Sequence, residues 1–140
     1  MTRQRFARPA IDADQVGAVM RKANAIILVV EDDPIIRMGA LDLIERAGFK
    51  ALQASSADDA IRILEARDDI HLVFTDVEMP GTMDGIKLSH YIRDRWPPIK
   101  LIVASGRTIV EQSSLPEGAR FFGKPYDDTD LVQSIIRLVA

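Results

Sequence analysis

At 140 residues the chain has room for one domain with a substantial core, and not for two of ordinary size. Its 47% hydrophobic and 28% charged side chains exclude a disordered or fibrous protein, and the absence of cysteine excludes disulfides, thiolate metal sites and cysteine nucleophiles. The net charge of -3 hides an asymmetry: residues 1–24 carry five basic and two acidic side chains, which leaves 13 basic and 19 acidic for the remainder, a body too acidic for a general nucleic-acid binder.

Residues 1–24 show weak periodicity, mixed charge and one early proline, and read as a flexible tail ahead of a domain over 25–140. "IDADQVG" stands where a secretory signal needs an apolar segment, and the longest clearly apolar run, Ala25 to Val30, is too short to cross a bilayer. The expectation is a cytoplasmic protein with no membrane partner. "AIILVV" is β-branched and wholly apolar, as in a parallel strand covered on both faces. "DPIIRMGALDLIERAG" follows as a helix, with Asp33 as N-cap, Pro34 at the first position and Gly48 as the stop. The alternation then repeats: "FKALQAS" strand, "SADDAIRILEARDD" helix capped by Ser56, "IHLVFTD" strand, "MDGIKLSHYIRDRW" helix closed by Pro97-Pro98, "IKLIVAS" strand. "GRTIVEQSSLPEGA" predicts at most a short helix, before the strand "RFFGK" and the helix "DDTDLVQSIIRLVA". Strands alternating with amphipathic helices imply a doubly wound α/β fold, a parallel sheet with helices on both faces.

In such sheets ligands bind beyond the carboxyl ends of the strands. Strand 1 ends in Glu31-Asp32, strand 3 in Asp76, strand 4 in Ser105 and strand 5 in Lys124. Taken singly, Glu31-Asp32-Asp33 reads as a solvated helix start and Asp76 as a turn initiator. Their convergence on one edge points to a site. Clustered carboxylates repel one another unless a proton or a cation bridges them, and an all-oxygen ligand set favours Mg²⁺ or Mn²⁺. A lysine and a hydroxyl opposite the metal suit phosphoryl oxygens, and a carboxylate is itself a nucleophile toward phosphorus. Asp76, between the metal and Lys124, is the candidate nucleophile.

With "ILVVEDDP", "VFTDVEMPGTMDG", "IVASG" and "FFGKPY" in order, the chain from about Ala25 to Ala140 resembles the receiver domain of two-component response regulators. The resemblance implies a flavodoxin-like five-stranded parallel sheet of order 2-1-3-4-5. It implies Asp76 as phosphoacceptor for a histidine kinase or histidine phosphotransfer protein, and output through an unknown downstream protein. By the same resemblance Asp32, Asp76 and the backbone carbonyl of Glu78 hold Mg²⁺, with Glu31 acting through a water. Ser105 takes the place of the switch hydroxyl, Phe121 that of the switch aromatic, and Lys124 that of the phosphate-pairing lysine. Lys124-Pro125 takes the place of a cis peptide. Glu78 and Arg107 stand where the family tunes the lifetime of the aspartyl phosphate, and their opposite charges predict a weak pair across the mouth of the site.

This chain departs from the family pattern in three ways. "MPGTMDG" is one residue longer than usual. Ser105 to Lys124 is about three residues shorter, which predicts a truncated or irregular helix between strands 4 and 5. The chain also ends just after its last helix, so a single-domain regulator without an output domain is expected. Two other readings compete. A haloacid dehalogenase-type Mg²⁺-dependent phosphatase shares the order Asp76, Ser105, Lys124, Asp127-Asp128, but needs an aspartate general acid where Glu78 stands. An FMN module of flavodoxin type needs a loop after strand 1 less acidic than this one.

Overall fold

The computed structural model describes residues 24–107 and 109–140, so the expected tail over 1–24 lies, but for Asn24, outside the described residues. The apolar runs form five strands: β1 (Ile26–Val30), β2 (Lys50–Ala54), β3 (Leu72–Asp76), β4 (Lys100–Ser105) and β5 (Arg120–Gly123). They pair in parallel in the order β2-β1-β3-β4-β5, as the resemblance implied. Between and after them lie α1 (Pro34–Arg46), α2 (Ala57–Ala66), α3 (Gly85–Arg95) and α4 (Asp128–Val139). Each begins at an acidic or hydroxyl cap that takes orphan backbone donors. Asp33 accepts from the N–H groups of Ile35 and Ile36, Ser56 from Asp59, Asp84 from Lys87, and Asp127 from Thr129 and Asp130.

The period-2 alternation of the strands splits the apolar side chains between two cores. Leu28, Val30, Val73, Leu101 and Val103 face α2 and α3, and meet Leu64, Leu88 and Ile92. Ile27, Val29, Phe74 and Ile102 face the other way, and meet Ile44 of α1 and Leu131 and Ile135 of α4. A strand buried on both faces must be apolar throughout, which is why β1 shows no polar residue.

Among the described residues, the connection from β4 to β5 carries no α-helix. It makes only a 3₁₀ turn at Gln112–Ser114, the irregularity that its shortness predicts. Side chains of α3 hold this segment by its main chain. His90 Nε2 lies 2.7 Å from the carbonyl oxygen of Ser114, and Arg93 donates to the carbonyls of Glu117 at 3.1 Å, Pro97 at 2.7 Å and Ile99 at 3.2 Å. Gln112 donates back to the carbonyl of Ala119 at 2.9 Å. His71 has a structural role too, its Nδ1 accepting from the Ile26 N–H at 3.1 Å. At the far end of α3, Arg95 lies over the rings of Tyr91 and Trp96. No helix among the described residues is long and apolar enough to cross a membrane.

Candidate functional site

Register brings the strand ends level: Val30 pairs with Thr75, Asp76 with Ala104, and Ser105 with Gly123. Asp76 is therefore presented at the rim as the last residue of β3. Its backbone is pinned on each side. The Val77 N–H donates to Ala104 at 2.9 Å, the Thr75 hydroxyl to the Asp76 carbonyl at 3.0 Å, and the Gly85 N–H to the Val77 carbonyl at 3.0 Å. The start of α3 lies so close to β3 that a Cβ on Gly85 would sit 2.0 Å from the Asp76 carbonyl oxygen. No side chain fits there.

Glu31, Asp32 and Asp76 bring carboxylate oxygens within 4.8 Å of one another. Asp32 is exposed, while Glu31 and Asp76 are 5% and 8% accessible. Lys124 reaches between them, its Nζ 3.0 Å from Asp76 Oδ1 and 3.3 Å from Glu31 Oε1. Burial pushes the Asp76 carboxyl above its ordinary value, although Lys124 favours its charge. Burial raises Glu31 too, against a stabilising N–H from Asp33 and with Asp76 adding to the rise. For Lys124, burial works against the ammonium, but the Asp76 and Glu31 carboxylates outweigh it and hold the pKa above the usual lysine value.

Three carboxylates against one ammonium leave uncompensated negative charge. Asp76 Oδ1 is buried, and the Lys124 ammonium 3.0 Å away is the cation that faces it. An all-oxygen set of this kind, with surplus charge and an open side toward Asp32, fits a hard divalent cation. The cleft above is lined by Glu31, Asp32, Asp76, Glu78, Arg107 and Lys124.

Ser105 ends β4, only 3% accessible, and the Lys124 N–H donates to its carbonyl at 2.9 Å. The Ser105 hydroxyl donates to the Glu78 carboxylate, which also accepts from the Gly106 N–H at 3.3 Å. Glu78 is drawn inward to donors at the end of β4, while Arg107 stays exposed at the mouth. Phe121 is half-buried against the core shared with α2 and α3, and its neighbour Phe122 packs on the opposite face against Tyr126. Lys124-Pro125 is cis.

Several residues that build the site were not singled out in the sequence. Arg37 donates to Gln53 on β2 at 2.8 Å and to the Glu31 carbonyl at 2.8 Å, fixing the loop that carries Glu31 and Asp32. Thr82, in the lengthened turn, donates to Asp58 in the first turn of α2 at 3.0 Å, and Gly81 within that turn has φ +109. Gly85 completes the set. In the sequence it stands only as part of "MPGTMDG" at the start of a helix, and nothing local reveals a close backbone approach.

The sequence profile of the response regulator receiver domain matches residues 27–136. The response regulator protein FleR of Pseudomonas aeruginosa is 34% identical over 116 residues, which cover 81% of this chain and 24% of FleR. The chain thus spans a minor part of that relative's length. A response regulator receiver domain protein from Clostridium thermocellum superposes with a TM-score of 0.76 at 28% identity, covering 82% of this chain and 94% of that one. The response regulator TrrA of Thermotoga maritima, solved in complex with Mg(2+)-BeF, shares the fold with a TM-score of 0.70 at 23% identity, covering 81% and 98%. The haloacid dehalogenase reading finds no support. Asp127, which it would place at the metal, is spent as the cap of α4.

Proposed function

The chain belongs to the response regulator receiver domain family, and on that premise we propose that it is a cytoplasmic phosphorylation switch whose acceptor is Asp76. The observation that carries this reading is the Asp76 carboxylate at a buried strand end, 3.0 Å from Lys124 and within 4.8 Å of the oxygens of Glu31 and Asp32. The donor is the phosphohistidine of a histidine kinase or histidine phosphotransfer protein. The N–P bond of the donor breaks as a bond forms from Asp76 Oδ to phosphorus. Output is phosphorylation-dependent binding of a downstream protein. The domain promotes its own phosphorylation and dephosphorylation and is not a turnover enzyme.

Asp32, Asp76 and the backbone carbonyl of Glu78 would hold Mg²⁺ (Mn²⁺ fits the same donors), with Glu31 acting through a water. When bound, the cation supplies charge neutralisation for the phosphoryl oxygens. The TrrA complex and the acidic cluster support this assignment. Lys124 orients the acceptor carboxylate and pairs with a phosphoryl oxygen once the acyl phosphate forms. Ser105 moves inward to donate to another, and Phe121, one strand away from Ser105, repacks into the space vacated. This is a population shift, so a partner is regulated to the extent that it prefers one state. Glu78 and Arg107 line the path of the attacking water and set the lifetime of the acyl phosphate.

Phosphotransfer from the host's histidine kinases in Mg²⁺ tests the reading. Wild type is expected to take up label stoichiometrically and Asp76→Asn none. Label retained by Asp76→Asn would refute the acceptor assignment.

A further inference from the structure

We propose that the Glu78 carboxylate is an internal stand-in for the phosphoryl group, holding the switch closed until phosphorylation displaces it. The inference rests on Asp76 being the phosphoacceptor. Its own basis is two contacts of Glu78: it accepts from the Ser105 hydroxyl and from the Gly106 N–H at 3.3 Å. A hydroxyl has a single proton to donate. While that proton goes to Glu78, Ser105 has none to offer a phosphoryl oxygen.

The geometry makes the two anions rivals. Glu78 follows Asp76 by two residues, and its side chain crosses the rim to the end of β4. Ser105 is buried, so its hydroxyl is committed to whichever acceptor the rim presents. An acyl phosphate on Asp76 brings close to two negative charges into the same corner. Both anions seek the same hydroxyl, and their mutual repulsion drives the mobile one out. Glu78 is the one with somewhere to go, since it is half-buried on a loop and open to the cleft, whereas the phosphoryl group is tied covalently to Asp76.

The unphosphorylated state is then actively held. Ser105 is kept from swinging inward by an acceptor built into the chain, and the β4 end, including Gly106, is released as a unit when that acceptor leaves. A neutral side chain at position 78 weakens the hold without altering the backbone carbonyl assigned to the metal.

The test titrates beryllofluoride, a phosphoryl analogue, in Mg²⁺ and reads the Gly106 amide by ¹H–¹⁵N correlation. Four proteins are compared: wild type, Glu78→Gln, Ser105→Ala and the double variant. Glu78→Gln is expected to bind beryllofluoride about tenfold more tightly, the scale of one lost charge-assisted hydrogen bond. In the Ser105→Ala background the same change is expected to gain clearly less, because the contested hydroxyl is gone. Before any ligand is added, the Gly106 resonance of Glu78→Gln is expected to lie nearer its beryllofluoride-bound position than that of wild type. Unchanged affinity in Glu78→Gln overturns the proposal. So does an equal gain in both backgrounds, which would show a general charge effect, or an unmoved Gly106 resonance. Wild type that ignores beryllofluoride, or Asp76→Asn that binds it equally, sinks the phosphoacceptor reading itself and this inference with it.

Discussion

A carboxylate that closes a buried strand lowers the stability of the apo protein, and Asp76 does so beside a second buried acid. Because burial raises the folded-state pKa of both Asp76 and Glu31 above their unfolded values, the folded state holds more protons just above the ordinary carboxylate range. Mg²⁺-free stability therefore falls as pH rises through that interval and stays lower above it. Asp76→Asn removes one of the two groups. In the absence of Mg²⁺ we expect this variant to melt a few degrees above wild type near neutral pH, with the gap narrowing as pH falls to about 4. Thermal melts across that range check it, and a gap that widens on acidification would contradict the assignment. With excess Mg²⁺ the order should reverse, since only wild type keeps all three carboxylates. Site and instability are thus the same atoms, a common arrangement where charge is displayed for binding.

At the scale of elements, the placement of Asp76 depends on how closely α3 can approach β3. Gly85→Ala would drive a methyl into the Asp76 carbonyl at 2.0 Å, against backbone on both sides with no side chain to yield. The expected cost is at least about 3 kcal/mol, measured by urea denaturation, with phosphotransfer impaired even in the fraction that folds. A stability near wild type would mean that the helix can retreat. This contact also shows which parts of the protein were legible in the sequence. Caps such as Asp33, Ser56 and Asp127, and apolar runs such as "AIILVV", are local, so the strand and helix order could be read directly. The strand-end residues Glu31, Asp32, Asp76, Ser105 and Lys124 followed because topology alone brings strand ends together. Gly85 against Asp76, Arg37 against Gln53 and Glu78 against Ser105 were not legible, because each depends on a distance set by the assembled fold. Opposite charge suggested that Glu78 would pair with Arg107. The structure shows Glu78 accepting from the buried Ser105 hydroxyl and the Gly106 N–H, contacts that a comparison of charges does not reveal.

Taken whole, the molecule has two cores separated by one sheet, and the site sits on the edge common to both. Ile44 belongs to one core and Ile92 to the other, each fully buried. Ile44→Val and Ile92→Val should each cost about 1 kcal/mol. Since they share no neighbour, the double variant should lose the sum to within about 0.5 kcal/mol. A larger departure, again by urea denaturation, would show that strain passes through the sheet. The segment between β4 and β5 seals one end of the core under α2 and α3 with Leu115 and Ala119, and is gripped by α3 at the carbonyl oxygens of Ser114 and Glu117 and by Gln112 at that of Ala119. Every residue type carries a carbonyl, so the grips of α3 are indifferent to which side chain stands at the exposed positions 114 and 117, whereas Leu115 and Ala119 are held to small or apolar types by the core. The surface there can diverge rapidly between lineages, or be rewritten by an engineer, while its path across the fold stays the same.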